Sequence, residues 1–151
     1  MRRATLVLMV VAFGLPSVPV RALCMKMTLE EQFASSAVVF VGRATAQEAE
    51  ARTRVLSNVT REEINTATTF AVQEMWKGAP ATEVRVMTCG GVLGDRHGTC
   101  DPSFTFRVGS TYLVFASGER LETSECFPTA LLERASQTLE WLAKQPRTKI
   151  R

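Results

Sequence analysis

A mostly β fold is what this sequence predicts: five strands closing into a small barrel, with a short helix before them and a longer helix after them. Three observations carry that reading. Short β-branched and aromatic runs at Ala37–Val41, Thr82–Thr88 and Thr111–Ala116 are fenced by glycine, proline or polar turn residues, as strands are. A Gly-rich loop, GGVLGDRHGT, joins the third strand to the fourth and has a cysteine at each end, Cys89 and Cys100. Apolar residues at helical spacing occur only near the two ends of the exported part of the chain.

The chain has 151 residues, enough for one domain with an appendage. Met1-Arg2-Arg3, the apolar run Ala4–Leu15 and the small residues Val20 and Ala22 form a secretory signal peptide over residues 1–22. The apolar run is shorter than the roughly 20 residues a membrane-spanning helix needs. The mature chain is expected to start at Leu23, with its domain over 23–145 and a basic tail over 146–151 expected to fray. Removing the peptide takes away three arginines and no acid, which leaves 15 basic and 15 acidic residues. A balanced charge gives little electrostatic drive toward nucleic acid or an anionic membrane, so neither is an expected partner. Export also makes four cysteines read as two disulfides, in one of three connectivities. Cys89 and Cys100 flank one short loop, so a local bridge there is geometrically easy. It leaves Cys24 with Cys126, tying the start of the mature chain to the far end of the sheet.

Taken in order, Thr28 and Glu31 form a capping box that opens a short helix ending near Ser35-Ser36, with Leu29 and Phe33 on one face. Ala37–Val41 is the first strand, and Gly42 within its pattern marks a bulge or bend. Residues 46–65 have no apolar period and read as a long exposed loop or a protruding hairpin arm. Within them Asn58-Val59-Thr60 matches a glycosylation sequon, a pattern common by chance. Thr66–Trp76 is the second strand, closed by the turn Trp76-Lys77-Gly78-Ala79-Pro80, with Trp76 as a lid on the core. Thr82–Thr88 and Thr111–Ala116 are the third and fourth, and Arg120–Thr123 a short fifth. Thr129 is placed to cap a final helix carrying Leu131, Leu132, Ala135, Leu139 and Leu142, which Pro146 closes. Five strands, one of them bulged, between two such helices fit a closed barrel of the OB type.

Catalytic chemistry is poorly represented. The one histidine, His97, sits in the loop Gly94–Gly98, expected to be a flexible tip, and no serine lies in a nucleophile-elbow pattern. Cys89, His97 and Cys100 with Asp101 could ligate zinc only if both thiols stayed reduced, which export disfavours. The loop glycines Gly90, Gly91, Gly94 and Gly98 have no Gly-Lys-Ser/Thr after them, so turn chemistry explains them better than phosphate binding. The chain is therefore expected to be non-enzymatic and to need no cofactor. What remains is a binding module, expected to be a monomer whose candidate contact edge is Leu23, Cys24, Met25, Lys26 and Met27 with Phe127. Met25 and Met27 beside Lys26 give that edge an adaptable apolar surface, although either methionine could instead pack into the barrel.

The ordered phrases Cys24…LEEQF…AVVFVGRAT, TFAVQEMWKG, EVRVMT, CDPSFTFRVGSTYLVFA and LETSECFPT resemble the netrin-module, tissue-inhibitor-of-metalloproteinase-like proteins, in particular short bacterial members. The resemblance covers Cys24 to about Leu142. It implies an OB barrel and, from the animal inhibitors, a protein partner that is a secreted zinc metalloprotease. In those inhibitors the amine and carbonyl of a first cysteine chelate the protease's zinc, and a disulfide fixes that N-terminus in advance, which lowers the ordering cost of binding. This chain departs from the pattern. Cys24 corresponds to the second family cysteine, and the first would fall at Ala22, inside the expected signal peptide. Cys126 corresponds to the partner of Cys24, and Cys89 to a replacement partner for Cys100. The resemblance thus implies Cys24–Cys126 and Cys89–Cys100, and the signal peptide implies a chain in the periplasm or outside the cell.

Overall fold

In a computed structural model, residues 24–56, 58–100 and 103–150 are described. The expected signal peptide at 1–22, Leu23 and Asp101 lie outside the described residues. Among the described residues the fold is mostly β with two α-helices. Helix α1 spans Leu29–Ser35, and its capping box forms as the sequence predicts. Glu31 N–H donates to Thr28 Oγ1 at 3.2 Å, and Thr28 N–H donates to Glu31 Oε2 at 2.7 Å.

Strands β1 (Val38–Leu56), β2 (Val59–Lys77), β3 (Glu83–Cys89), β6 (Thr111–Ala116), β7 (Glu122–Thr123) and β8 (Ala130–Leu131) form one sheet in the order β7-β3-β2-β1-β6-β8. Neighbours run antiparallel except β3 and β7. Two further strands, β4 (Gly91–Leu93) and β5 (Arg96–Gly98), make a separate hairpin. Five strands therefore undercount the sheet, and the sheet is not closed. Its outer strands are two residues long, too short for a closing ladder, and among the described residues an isolated bridge between Ser117 and Glu122 is what links the ends of β6 and β7.

The polar stretch 46–65 is the hairpin arm: β1 pairs with β2 from Val39↔Lys77 out to Leu56↔Val59. Asn58 turns the chain at a φ of 66°, a left-handed conformation that asparagine tolerates. Register shifts fall at Val39/Phe40, Val41/Gly42 and Ala44/Ala46, so Gly42 lies at an irregularity, as its place in the pattern indicates. A β-carbon there would sit 3.0 Å from both Ala71 O and the Phe40 ring, which is why glycine occupies the position.

Two apolar clusters lie on opposite faces of the sheet. Phe40, Phe70, Val86, Phe106, Tyr112 and Val114 fill one, with the Phe70 and Phe106 rings edge-to-face at 4.8 Å. Val39, Val41, Trp76, Leu113 and Phe115 form the other, against α1 and helix α2 (Ser136–Leu142). Trp76 is buried there, the lid the sequence predicts.

The C-terminal helix starts later than its apolar spacing indicates. Thr129 does not cap it. Its hydroxyl is buried, accepting from Phe115 N–H at 2.9 Å, donating to Phe115 O at 3.1 Å and sharing a hydrogen bond with Thr123 Oγ1 at 3.0 Å. Ala130–Leu131 then pair with β6, and a 3-10 turn over Leu132–Arg134 precedes α2. The tail is docked where fraying was expected: Thr148 N–H donates to Met75 O at 2.8 Å, and Arg147 lies over the Trp76 ring and pairs with Glu74. Thr129→Val, which keeps the shape and strands the Phe115 N–H without an acceptor, is expected to destabilise the fold by about 1–3 kcal/mol, read as a lower urea midpoint.

Candidate functional site

The candidate contact edge is built by one covalent bond and the helix behind it. Cys24 and Cys126 are bridged, with Cα atoms 5.3 Å apart, an ordinary span for a disulfide. Cys126 sits in a turn where its N–H donates to Ser124 Oγ at 3.3 Å and Phe127 N–H donates to Ser124 O at 3.1 Å. The segment Cys24–Met27 leads from the bridge into the cap of α1 without regular secondary structure.

Helix α1 is fixed by side chains from farther along the chain, Lys77 at the end of β2 and Trp141 in α2. Lys77 Nζ donates to Phe33 O at 2.8 Å and Ala34 O at 2.7 Å, so a cation satisfies carbonyls at the helix C-terminus. Trp141 Nε1 donates to Glu30 Oε1 at 2.8 Å, and the Trp141 and Phe33 rings meet edge-to-face at 5.5 Å. The Trp76-Lys77-Gly78 phrase thereby acquires a physical reading. Trp76 fills the helix-side cluster and Lys77 holds α1. Gly78, at a φ of 113°, leaves room for Val38 Cγ1, which would lie 2.8 Å from any β-carbon there.

With its ends fixed, the segment displays its side chains. Met25 is 82% exposed and Met27 38%, and Lys26 is exposed between them, so neither methionine packs into the core. Phe127, half-buried beside the helix cluster, also lines a cleft of about 360 Å³ with Arg52, Arg54, Asn65, Cys89 and Glu122. This cleft joins the turn that carries Cys126 to the second disulfide. Its charges are internally paired: Arg52 with Glu122 at 3.2 Å and Arg54 with Glu63 at 3.6 Å. Exposed pairs of this kind contribute about 0–1 kcal/mol each and leave the cleft near neutrality. Sequence reasoning missed Arg52, Arg54 and Asn65, because the polar stretch that holds them has no apolar period to show which side faces the domain.

Cys89 and Cys100 are bridged, with Cα atoms 5.7 Å apart. Neither is available as a thiolate, and the zinc set considered from sequence is thereby dismantled. His97 is exposed on β5, facing Val92 across the β4–β5 pair. The loop is a fixed hairpin where a flexible tip was expected: Arg96 Nη1 donates to Glu62 Oε1 at 2.6 Å, and Gly98 presses on Ile64, whose Cβ would lie 2.6 Å from an added β-carbon. Among the described residues no three histidine, cysteine, aspartate or glutamate side chains form a metal-binding group, and no helix is long and apolar enough to cross a membrane. Two disulfides point to an oxidising compartment.

Neither a protein-family model nor a characterised protein matches the chain.

The two bridges differ in the loop they close. Cys24–Cys126 spans 102 residues and Cys89–Cys100 spans 11. In the chain-entropy picture, replacing Cys24 and Cys126 by serine costs about 4–5 kcal/mol, and replacing Cys89 and Cys100 about 3 kcal/mol. Denaturant midpoints of the two double variants are expected to fall in that order.

Proposed function

We propose that this chain is an exported, non-enzymatic protein-binding module of the netrin-module, metalloproteinase-inhibitor-like type, its unclosed sheet the counterpart of the partly open OB barrel. Its docking edge is Leu23–Met27 together with Phe127, and its partner is a secreted zinc metalloprotease. The observation that carries this reading is the Cys24–Cys126 bridge, which holds an exposed Met25-Lys26-Met27 segment beside Phe127. A tethered segment loses less conformational freedom on binding than a free one, and a flexible thioether adapts to an apolar pocket. The order of the sequence phrases and the position of the bridge support the same reading.

A second reading, a cell-envelope adaptor without inhibitory activity, has its own support. Cys100 is bonded to Cys89 and not to a cysteine ahead of Cys24, so the family's first bridge has no counterpart here. The zinc-chelating amine of the animal inhibitors would then be missing, and contact would rest on the side chains of the edge alone.

Inhibition assays against secreted zinc metalloproteases separate the two. The first reading expects micromolar chain to slow such a protease, and Met25→Glu to weaken inhibition about tenfold or more, since a carboxylate in an apolar pocket is desolvated without a partner. An inert wild-type chain across a panel of such proteases, together with an envelope protein whose binding ignores Met25→Glu, would establish the adaptor instead.

A further inference from the structure

The arm leaves one backbone edge without a neighbour. β6 accompanies β1 only over Val38–Arg43, and Gly109 and Ser110 complete that side at Ala44. From Ala46 to Leu56, β1 is paired with β2 alone among the described residues. Long free edges are usually blunted by proline, by a bulge or by charge of one sign. This one has no proline, and its charges come in both signs, in a particular order.

Glu48, Glu50, Arg52 and Arg54 alternate with Ala49, Ala51 and Thr53. Side chains two apart on a strand share a face, so all four charges project together, acids first and bases second. The pattern is antisymmetric about Ala51, which is also the midpoint of the free edge from 46 to 56. We propose that two copies of this chain pair antiparallel along this edge, with Ala51 facing Ala51 across a two-fold axis.

That register sets Glu50 opposite Arg52 of the second copy and Glu48 opposite Arg54, and the symmetry repeats both pairs. A slip of two residues either way puts arginine against arginine or glutamate against glutamate, so charge selects the register. Existing partners leave room for it. Arg52 pairs with Glu122, Arg54 with Glu63, Arg85 with both Glu48 and Glu50, and Arg120 with Glu50; the Arg52, Arg54 and Glu48 side chains remain 39%, 53% and 80% exposed and Glu50 29%. A guanidinium carries five N–H donors and can serve a second carboxylate.

The ends of the interface fit as well. Position 56 of one copy falls opposite Ala46 of the other, one bulge away from Ala44, which is bonded to the turn Arg107–Ser110. Val55 and Val59 near the arm tip and Val108 in that turn are 66%, 52% and 49% exposed, and the pairing brings tip and turn together. The proposal is independent of the protease partner and replaces the monomer expected from sequence.

Sedimentation equilibrium over a concentration series, at low and high salt, tests it. Wild-type chain is expected to form a dimer that weakens as salt screens the pairs. Glu48→Arg with Glu50→Arg makes an all-basic edge, and Arg52→Glu with Arg54→Glu an all-acidic one. Each double variant alone is expected to dimerise at least about tenfold more weakly, because like charges then face each other. Mixing the two is expected to give a heterodimer, and the fourfold swap to recover the homodimer. A wild-type chain that stays monomeric throughout overturns the proposal. So does a double variant that dimerises like wild type, and so does a mixture that fails to associate.

Discussion

Strand β1 is the constraint on which the rest of the molecule depends. Over Val39–Arg43 it is bonded on both sides, to β2 and β6, and its side chains alternate between two cores. Phe40 and Ala44 enter the cluster around Phe70, while Val39 and Val41 enter the cluster that receives both helices. A one-residue slip would exchange the two sets. The irregularities beside Phe40, at Gly42 and before Ala46 set where each part of the strand points. Beyond them the strand continues as the arm, with no core to bury.

The N-terminal edge depends on that arrangement at one remove. Helix α1 rests on the cluster fed by Val39 and Val41, Lys77 and Trp141 hold it at its carbonyl end and flank, and the Cys24–Cys126 bridge closes the other end. The few residues between bridge and helix cap are short enough to be held by their ends while leaving Met25 to solvent. Order and exposure together are what the proposed recognition segment needs: the ordering cost is met on folding, and the apolar side chains stay available for contact.

Much of this was legible in the residues because the deciding interactions are local. The capping box joins residues three apart. The β3-to-β6 loop signals its bridge by two cysteines and its turns by glycines, of which Gly90, Gly91 and Gly94 adopt positive φ. The resemblance and the ease of the local bridge gave the same disulfide pairing, and both bridges form as expected. What stayed hidden is tertiary. Leu131 and Leu132 keep helical spacing with Leu139 and Leu142, yet Thr129 finds better partners in Phe115 and Thr123, and Ala130–Leu131 pair with β6 before the helix can start. The arm has no apolar alternation because most of it lies outside both cores, and its buried residues, Ile64 and Asn65, sit at its base. Its two strands pair with each other across the turn at Asn58, but ion pairs that place it against the domain lie far along the chain, as in Arg52 with Glu122 and Arg120 with Glu50. The tail is held by Met75 and Trp76, contacts that no window around Arg147 and Thr148 reveals.

The central claim is that a disulfide to Cys126 holds the segment Cys24–Met27 as a presented edge. N-terminal sequencing of the exported protein, combined with a non-reduced peptide map, tests it most directly. The account predicts a chain beginning at Leu23, with Cys24 linked to Cys126 and Cys89 to Cys100. A Cys24 found as a free thiol, or linked to Cys89 or Cys100, would contradict it, because the segment would then be tethered elsewhere or not at all.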